Sequence, residues 1–297
     1  RNDRGAGNGK IGTTIGERHT DNSDLNCADI SRARGAVNWP RKRASACTTP
    51  AQSLHGAQGP YRQDGSMLKT LGKKLSTWER NWRYSFGMDI TDPDERRKSK
   101  WHYNLFDHAF LRVPWTNFYR VSDGVWRSNQ PTHKRFMRYR DMGIKSVINL
   151  RGTDIRAHYL FEEESCRILG LKLHNSKLWA RTAANRENIV AVIDLMRTVQ
   201  RPFMFHCKSG ADRAGFCAAM YQMVFDNVPV QEARKQLSIK FIHLKWTKTG
   251  VQGYILDVFE ARQAKGKIDF ETWIRTEYDN DVIQEGFDSK TPPAQIA

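Results

Sequence analysis

No stretch of this 297-residue chain approaches the ~18 consecutive apolar residues of a membrane-spanning helix, which argues against an integral helical membrane protein. Cysteine is sparse and odd in number, five scattered residues, so a disulfide framework of the small secreted kind is excluded and reduced, cytosol-like conditions are expected. Acidic residues are scarce relative to basic ones, 32 against 48, leaving a formal charge of +16. That excess predicts anionic partners and admits nucleic acid, anionic lipid surfaces and phosphorylated molecules alike. No internal repeat is visible, and no methionine precedes Met67. What is present, 39% hydrophobic and 27% charged residues, is the composition of a globular chain long enough for one large domain or two ordinary ones.

Composition breaks near residue 66. Residues 1–66 hold 9 of the 21 glycines but only eight large apolar residues, too few to offset the entropy of ordering the segment, which is expected to be disordered or a spurious N-terminal extension. Its charge is +4, leaving +12 on residues 67–297. From Met67, Leu68, Leu71, Leu75, Trp78, Trp82 and Phe86 recur at helical spacing with lysine and arginine on the other faces. Such a basic amphipathic helix over residues 67–87 either docks on its own domain or lies against an anionic membrane. Asp89–Lys100, polar and containing Pro93, reads as a linker.

Beyond residue 100 strands and helices alternate. Ser122-Asp123-Gly124 signals a hairpin, Pro131 opens a helix, and Ile144–Leu150 and Phe203–His206 read as buried strands. Helices are expected over 157–169, 186–200, 213–225, 229–237, 249–263 and 269–277. This order predicts an α/β fold: a central, mostly parallel sheet flanked by helices.

The stretch His206-Cys207-Lys208-Ser209-Gly210-Ala211-Asp212-Arg213-Ala214-Gly215 carries the chemistry. A cysteine ends an apolar strand, and an arginine six positions later opens a helix. A loop of this length can aim successive backbone N–H groups at a dianion, with the helix N-terminus adding positive potential. Arg213 can clamp two phosphate oxygens with its fork, and the positive field of such a cradle suits a thiolate nucleophile.

These residues resemble the signature of the cysteine-based protein tyrosine phosphatase superfamily, His-Cys, five residues, Arg. The closest likeness is to the compact dual-specificity branch of bacteria. Val125-Trp126-Arg127-Ser128-Asn129-Gln130-Pro131 and the strand end Asn149-Leu150-Arg151 extend the resemblance, which covers about residues 101–265 and makes 101–297 the expected catalytic domain. The resemblance implies a phosphatase-type loop between a strand and a helix. It implies a metal- and cofactor-independent phosphomonoesterase that works through a phosphocysteine on Cys207. Arg213 and the loop Lys208, Ser209, Gly210 and Ala211 would bind phosphate, and His206 would hold the loop from behind.

Two positions depart from the family pattern. The family's general acid, an aspartate about 32 residues before the cysteine, counts back to Asn175, and Ser176–Asn185 offers no carboxylate. Asp212 is the replacement candidate, as acid or as loop buttress, with Asp154 a weaker one. Ala214 stands where many relatives carry a hydroxyl that helps the thiolate leave, so slow phosphoenzyme breakdown is expected. Cys166 and Cys217 read as small core residues. Lys208, and Lys245 and Lys248 on either side of Trp246-Thr247, suit a lipid-borne or polyanionic phosphate. The substrate is thus a phosphorylated protein, or alternatively a phosphoinositide or other lipid or sugar phosphate; a substrate-trapping pseudophosphatase is the remaining alternative. Nucleic acid has no supporting motif. A cytoplasmic location, with peripheral membrane contact through 67–87, completes the expectation.

Overall fold

The computed structural model describes residues 88–107 and 109–297. Both the tail 1–66 and the amphipathic segment 67–87 therefore lie outside the described residues. The first element overturns the linker reading of Asp89–Lys100: α1 runs Pro93–Phe106. Asp92 caps it, accepting from the backbone N–H groups of Asp94 and Glu95 at 2.9 Å each. Pro93 sits at the first helical position, where its missing N–H costs nothing and its fixed φ suits the helix. Arg96 on α1 pairs with Glu164 at 2.6 Å, fixing the helix to a later one.

A short 3₁₀ turn (Ala109–Arg112) leads into β1 (Tyr119–Ser122) and β2 (Val125–Asn129), joined through Gly124 at φ +67°. Then follow α2 (His133–Asp141), β3 (Ser146–Asn149), α3 (Ala157–Leu169), β4 (Lys172–Asn175), α4 (Arg186–Thr198), β5 (Phe203–Cys207) and α5 (Asp212–Phe225). The chain ends in helices: α6 (Val230–Ala233), α7 (Val251–Ala264), α8 (Phe270–Thr276), α9 (Asn280–Ser289) and α10 (Pro293–Ile296). The last two were not foreseen. Asp279 caps α9 at Asp281 N and Val282 N, but only Ile283 and Gly286 of that helix are buried, a stripe too thin to read.

The sheet order is β1-β2-β5-β3-β4, parallel except for the β1–β2 hairpin, as expected of strands joined by helical crossovers. β5 lies in the centre and is buried along its whole length. Its side chains alternate between two layers. Phe203, Phe205 and Cys207 face a core built from α4, α5, α7 and α8, including Ile189, Phe216, Ile255 and Trp273. Met204 packs in a smaller core with Phe136, Tyr139, Val147 and Cys166 under α2 and α3. Cys207 is thus delivered to the carboxyl edge of the sheet, next to the N-terminus of α5. Among the described residues no helix is long and apolar enough to cross a membrane.

Candidate active site

Four successive loop carbonyls are held from behind. Gln130 N–H donates to Lys208 O at 3.3 Å and Asn117 Nδ2 to Ser209 O at 3.2 Å. Arg127 Nη2 donates to Gly210 O at 2.6 Å and to Ala211 O at 3.2 Å. In a trans peptide the C=O and the following N–H point in opposite directions. The N–H groups of Ser209, Gly210, Ala211 and Asp212 are therefore turned to the other side of the loop, the side closed by Cys207 and Arg213. Ser209 Oγ accepts from Ala211 N at 3.3 Å.

Arg127 is the keystone of this arrangement and was read only as part of a resembling segment. It is completely buried, stacks 4.1 Å above the Phe241 ring, and spends Nη1 on Gln236 O and Oε1 at 2.8 and 2.9 Å. Burial pulls its guanidinium down to about 10, partly opposed by nearby Cys207, so it stays charged at neutral pH. Gly210 is the second requirement. At φ +73° only glycine is unstrained, and a Cβ there would meet Asn129 N at 2.7 Å and Ser128 C at 2.8 Å. Gly210→Ala is expected to destabilise the fold by more than about 1 kcal/mol and to depress turnover together with the melting temperature; an unchanged thermal melt would contradict this packing.

The remaining residues sort by where they point. His206 bridges two groups: Nδ1 lies 3.4 Å from Cys207 O and Nε2 lies 2.5 Å from Glu162 Oε1, while Gln130 Nε2 lies 2.5 Å from Glu162 Oε2. This buried chain braces the strand end. Lys208 is tied to Asp107 at 3.2 Å, beside Arg112 (2.7 Å) and Arg151 (3.1 Å) on the same carboxylate. Burial alone would push the Asp107 carboxyl up, but the charges of Arg151, Arg112 and Lys208 overcome it and hold it well below the usual range. Asp107 is therefore a fixed anion and cannot serve as an acid.

Asn175 does not sit on a loop over the cysteine. It is the last residue of β4, in register with Asn149, which in turn is in register with His206. Two strand spacings put it roughly 10 Å from β5. Its amide is spent on Asn149 (3.1 Å) and on the Tyr159 hydroxyl (3.0 Å). Asp154 pairs with His158 at 3.5 Å; burial first, then Arg151, lowers that imidazole to about 4. Asp212 is the carboxylate on the loop itself, and its Oδ1 lies 2.8 Å from Nδ1 of the buried His243. Arg213, half-buried, reaches Leu178 O at only 3.5 Å and leaves its Nε buried without a partner. Burial pushes the Cys217 thiol well up and the Cys166 thiol up as well, consistent with two core residues. Ala214 is fully buried.

A cysteine, backbone N–H groups turned to one side of the loop and an arginine whose Nε lacks a partner stand together at the end of β5, an arrangement able to receive an oxyanion. The family model described as "DSP-PTPase phosphatase fused to NAD+ Kinase" matches residues 119–249, a span that contains the whole loop together with Arg127 and His243. Residues 119–249 are thus similar to the cysteine-based protein tyrosine phosphatases of the dual-specificity type. The chain is also similar to the dual specificity protein phosphatase TpbA of Pseudomonas aeruginosa, 28% identical over 129 residues. That match covers 42% of this chain and 54% of TpbA, so the chain spans about half the length of its curated relative. Among solved structures, P. aeruginosa TpbA aligns with a TM-score of 0.41 at 18% identity, over 59% of this chain and 92% of that one. The core catalytic domain of the S. cerevisiae PP-IP phosphatase SIW14 aligns at 0.40 and 13%, over 59% and 93%.

Proposed function

We propose that the chain is a phosphomonoesterase that hydrolyses phosphate esters through a phosphocysteine, without a metal or cofactor. The observation that carries this reading is the unpartnered Arg213 Nε beside a loop whose four carbonyls are all engaged from behind. A phosphate dianion supplies an acceptor for Arg213 Nε and for the N–H groups on the other side of those peptides. Cys207 Sγ attacks phosphorus; the S–P bond forms as the P–O bond to the leaving group breaks, and the leaving oxygen takes a proton from Asp212. Water then attacks phosphorus on the opposite side of the S–P bond and gives a proton back to Asp212. Inorganic phosphate and the thiolate are released.

Asp212 is assigned the proton because Ser176–Asn185 contains no carboxylate and Asp107 is locked as an anion. His243 acts on it as a positioning residue. Its Nε2 is buried with no partner, which disfavours a proton there, so Nδ1 carries the hydrogen and donates it to Asp212 Oδ1. Oδ2 accepts no hydrogen bond among the described residues and is the oxygen available for transfer. The substrate is a phosphorylated protein, or a lipid or sugar phosphate of the same chemistry.

Rapid mixing with an aryl phosphate in the presence of chelator tests the mechanism. A burst of phenol stoichiometric with enzyme is expected, because Ala214 supplies no hydroxyl to speed thiolate departure, and acid quench should leave phosphate on Cys207. Turnover that requires metal and leaves no label on Cys207 would overturn the reading.

A further inference from the structure

Residues 239–248, Ile-Lys-Phe-Ile-His-Leu-Lys-Trp-Thr-Lys, brace the phosphate loop with one face and leave the other in solvent. Phe241 lies under the Arg127 guanidinium and His243 reaches Asp212, and both are buried. Between them Ile242 points outward, held there by a left-handed backbone at φ +56°. That conformation is strained for a β-branched residue, so the chain stores strain in order to expose an isoleucine beside the loop brace. Ile239, Ile242 and Trp246 are 64%, 45% and 72% exposed. Lys240, Lys245 and Lys248 are interspersed with them, the stretch contains no carboxylate, and none of the three lysines forms an ion pair among the described residues. Lys240 is instead held over the Tyr119 and Phe241 rings, 5.1 and 5.5 Å from their centres.

We propose that residues 239–248 are a docking surface for an anionic lipid bilayer. Exposed tryptophan and isoleucine tips suit the acyl–headgroup boundary, and lysines among them suit anionic headgroups. An acidic or phosphorylated peptide would call for arginine forks, and every cation here is a lysine. Because the inward face of the same ten residues holds Arg127 and Asp212, a docked bilayer meets the protein at the edge of the phosphate loop. Docking itself does not depend on the chemistry proposed above.

The test is co-sedimentation of the full chain with phosphatidylcholine vesicles, with or without phosphatidylglycerol, read without turnover. Wild type is expected on the anionic vesicles only, with binding that weakens as salt is raised. Lys245→Glu/Lys248→Glu and Trp246→Ser are each expected to reduce partitioning about tenfold or more. Hydrolysis of a soluble aryl phosphate by these variants should stay at the wild-type level, which reports an intact fold and keeps loss of docking separate from loss of chemistry. No binding by wild type, equal binding to neutral vesicles, or variants that bind as wild type would each overturn the proposal. The last outcome would mean that another part of the chain meets the lipid.

Discussion

Cys207→Ser removes aryl phosphate hydrolysis, with an expected loss on the order of 10⁴-fold or more, while binding of the ester survives. A serine hydroxyl at this position is not ionised at neutral pH, so the S–P bond has no counterpart that forms at a useful rate, and enzymes that lose their nucleophile fall by factors of this size. The cradle does not depend on the sulfur. Its carbonyls are held by Gln130, Asn117 and Arg127, and Arg213 keeps its buried Nε in want of an acceptor. Cys207 is buried in the larger core, and serine fills nearly the same volume, so the variant should remain folded. Steady-state hydrolysis and equilibrium binding of the same ester, measured side by side, check both halves. Retained turnover would sink the phosphocysteine. Lost turnover with lost binding would mean that the sulfur also builds the cradle.

What could be read in advance was what is local. The run Phe203-Met204-Phe205-His206-Cys207 is a central strand because it is continuously apolar, and α3 has the boundaries its Ala157–Leu169 pattern implies, closed by Gly170 at φ +68°. Cys207, the loop and Arg213 lie within seven residues and were legible together as one strand–loop–helix unit. The supports were not, because they come from far along the chain. Arg127 reaches Gly210 across 83 positions, Glu162 reaches His206 across 44, and His243 reaches Asp212 across 31. No local periodicity encodes such pairings. A count of 32 residues back to an acid fails for a related reason: it assumes a fixed loop length, and here the position belongs to β4. The linker reading failed differently. Asp92-Pro93-Asp94-Glu95 is a helix-start signal, but α1 is polar on most of its surface, and that polarity masked its cap.

Asp212→Asn separates the two roles that a carboxylate on the loop can have. The amide oxygen can still accept from His243 Nδ1, so a buttress survives the substitution, whereas proton transfer does not. With an alkyl or unactivated phenyl phosphate, whose leaving oxygen must be protonated as it departs, kcat is expected to fall ~10²–10⁴-fold. With an activated phenol the loss should be small, because that leaving group departs as the anion. His243→Asn is the companion measurement: its amide N–H can replace Nδ1–H, so it should retain most of the activity on both esters, while His243→Leu should lose activity preferentially on the poor leaving group. Equal losses on good and poor leaving groups in Asp212→Asn would assign the residue to loop geometry alone. A steep dependence on leaving-group basicity, appearing only in Asp212→Asn and His243→Leu, would identify a proton supplied from within the phosphate loop.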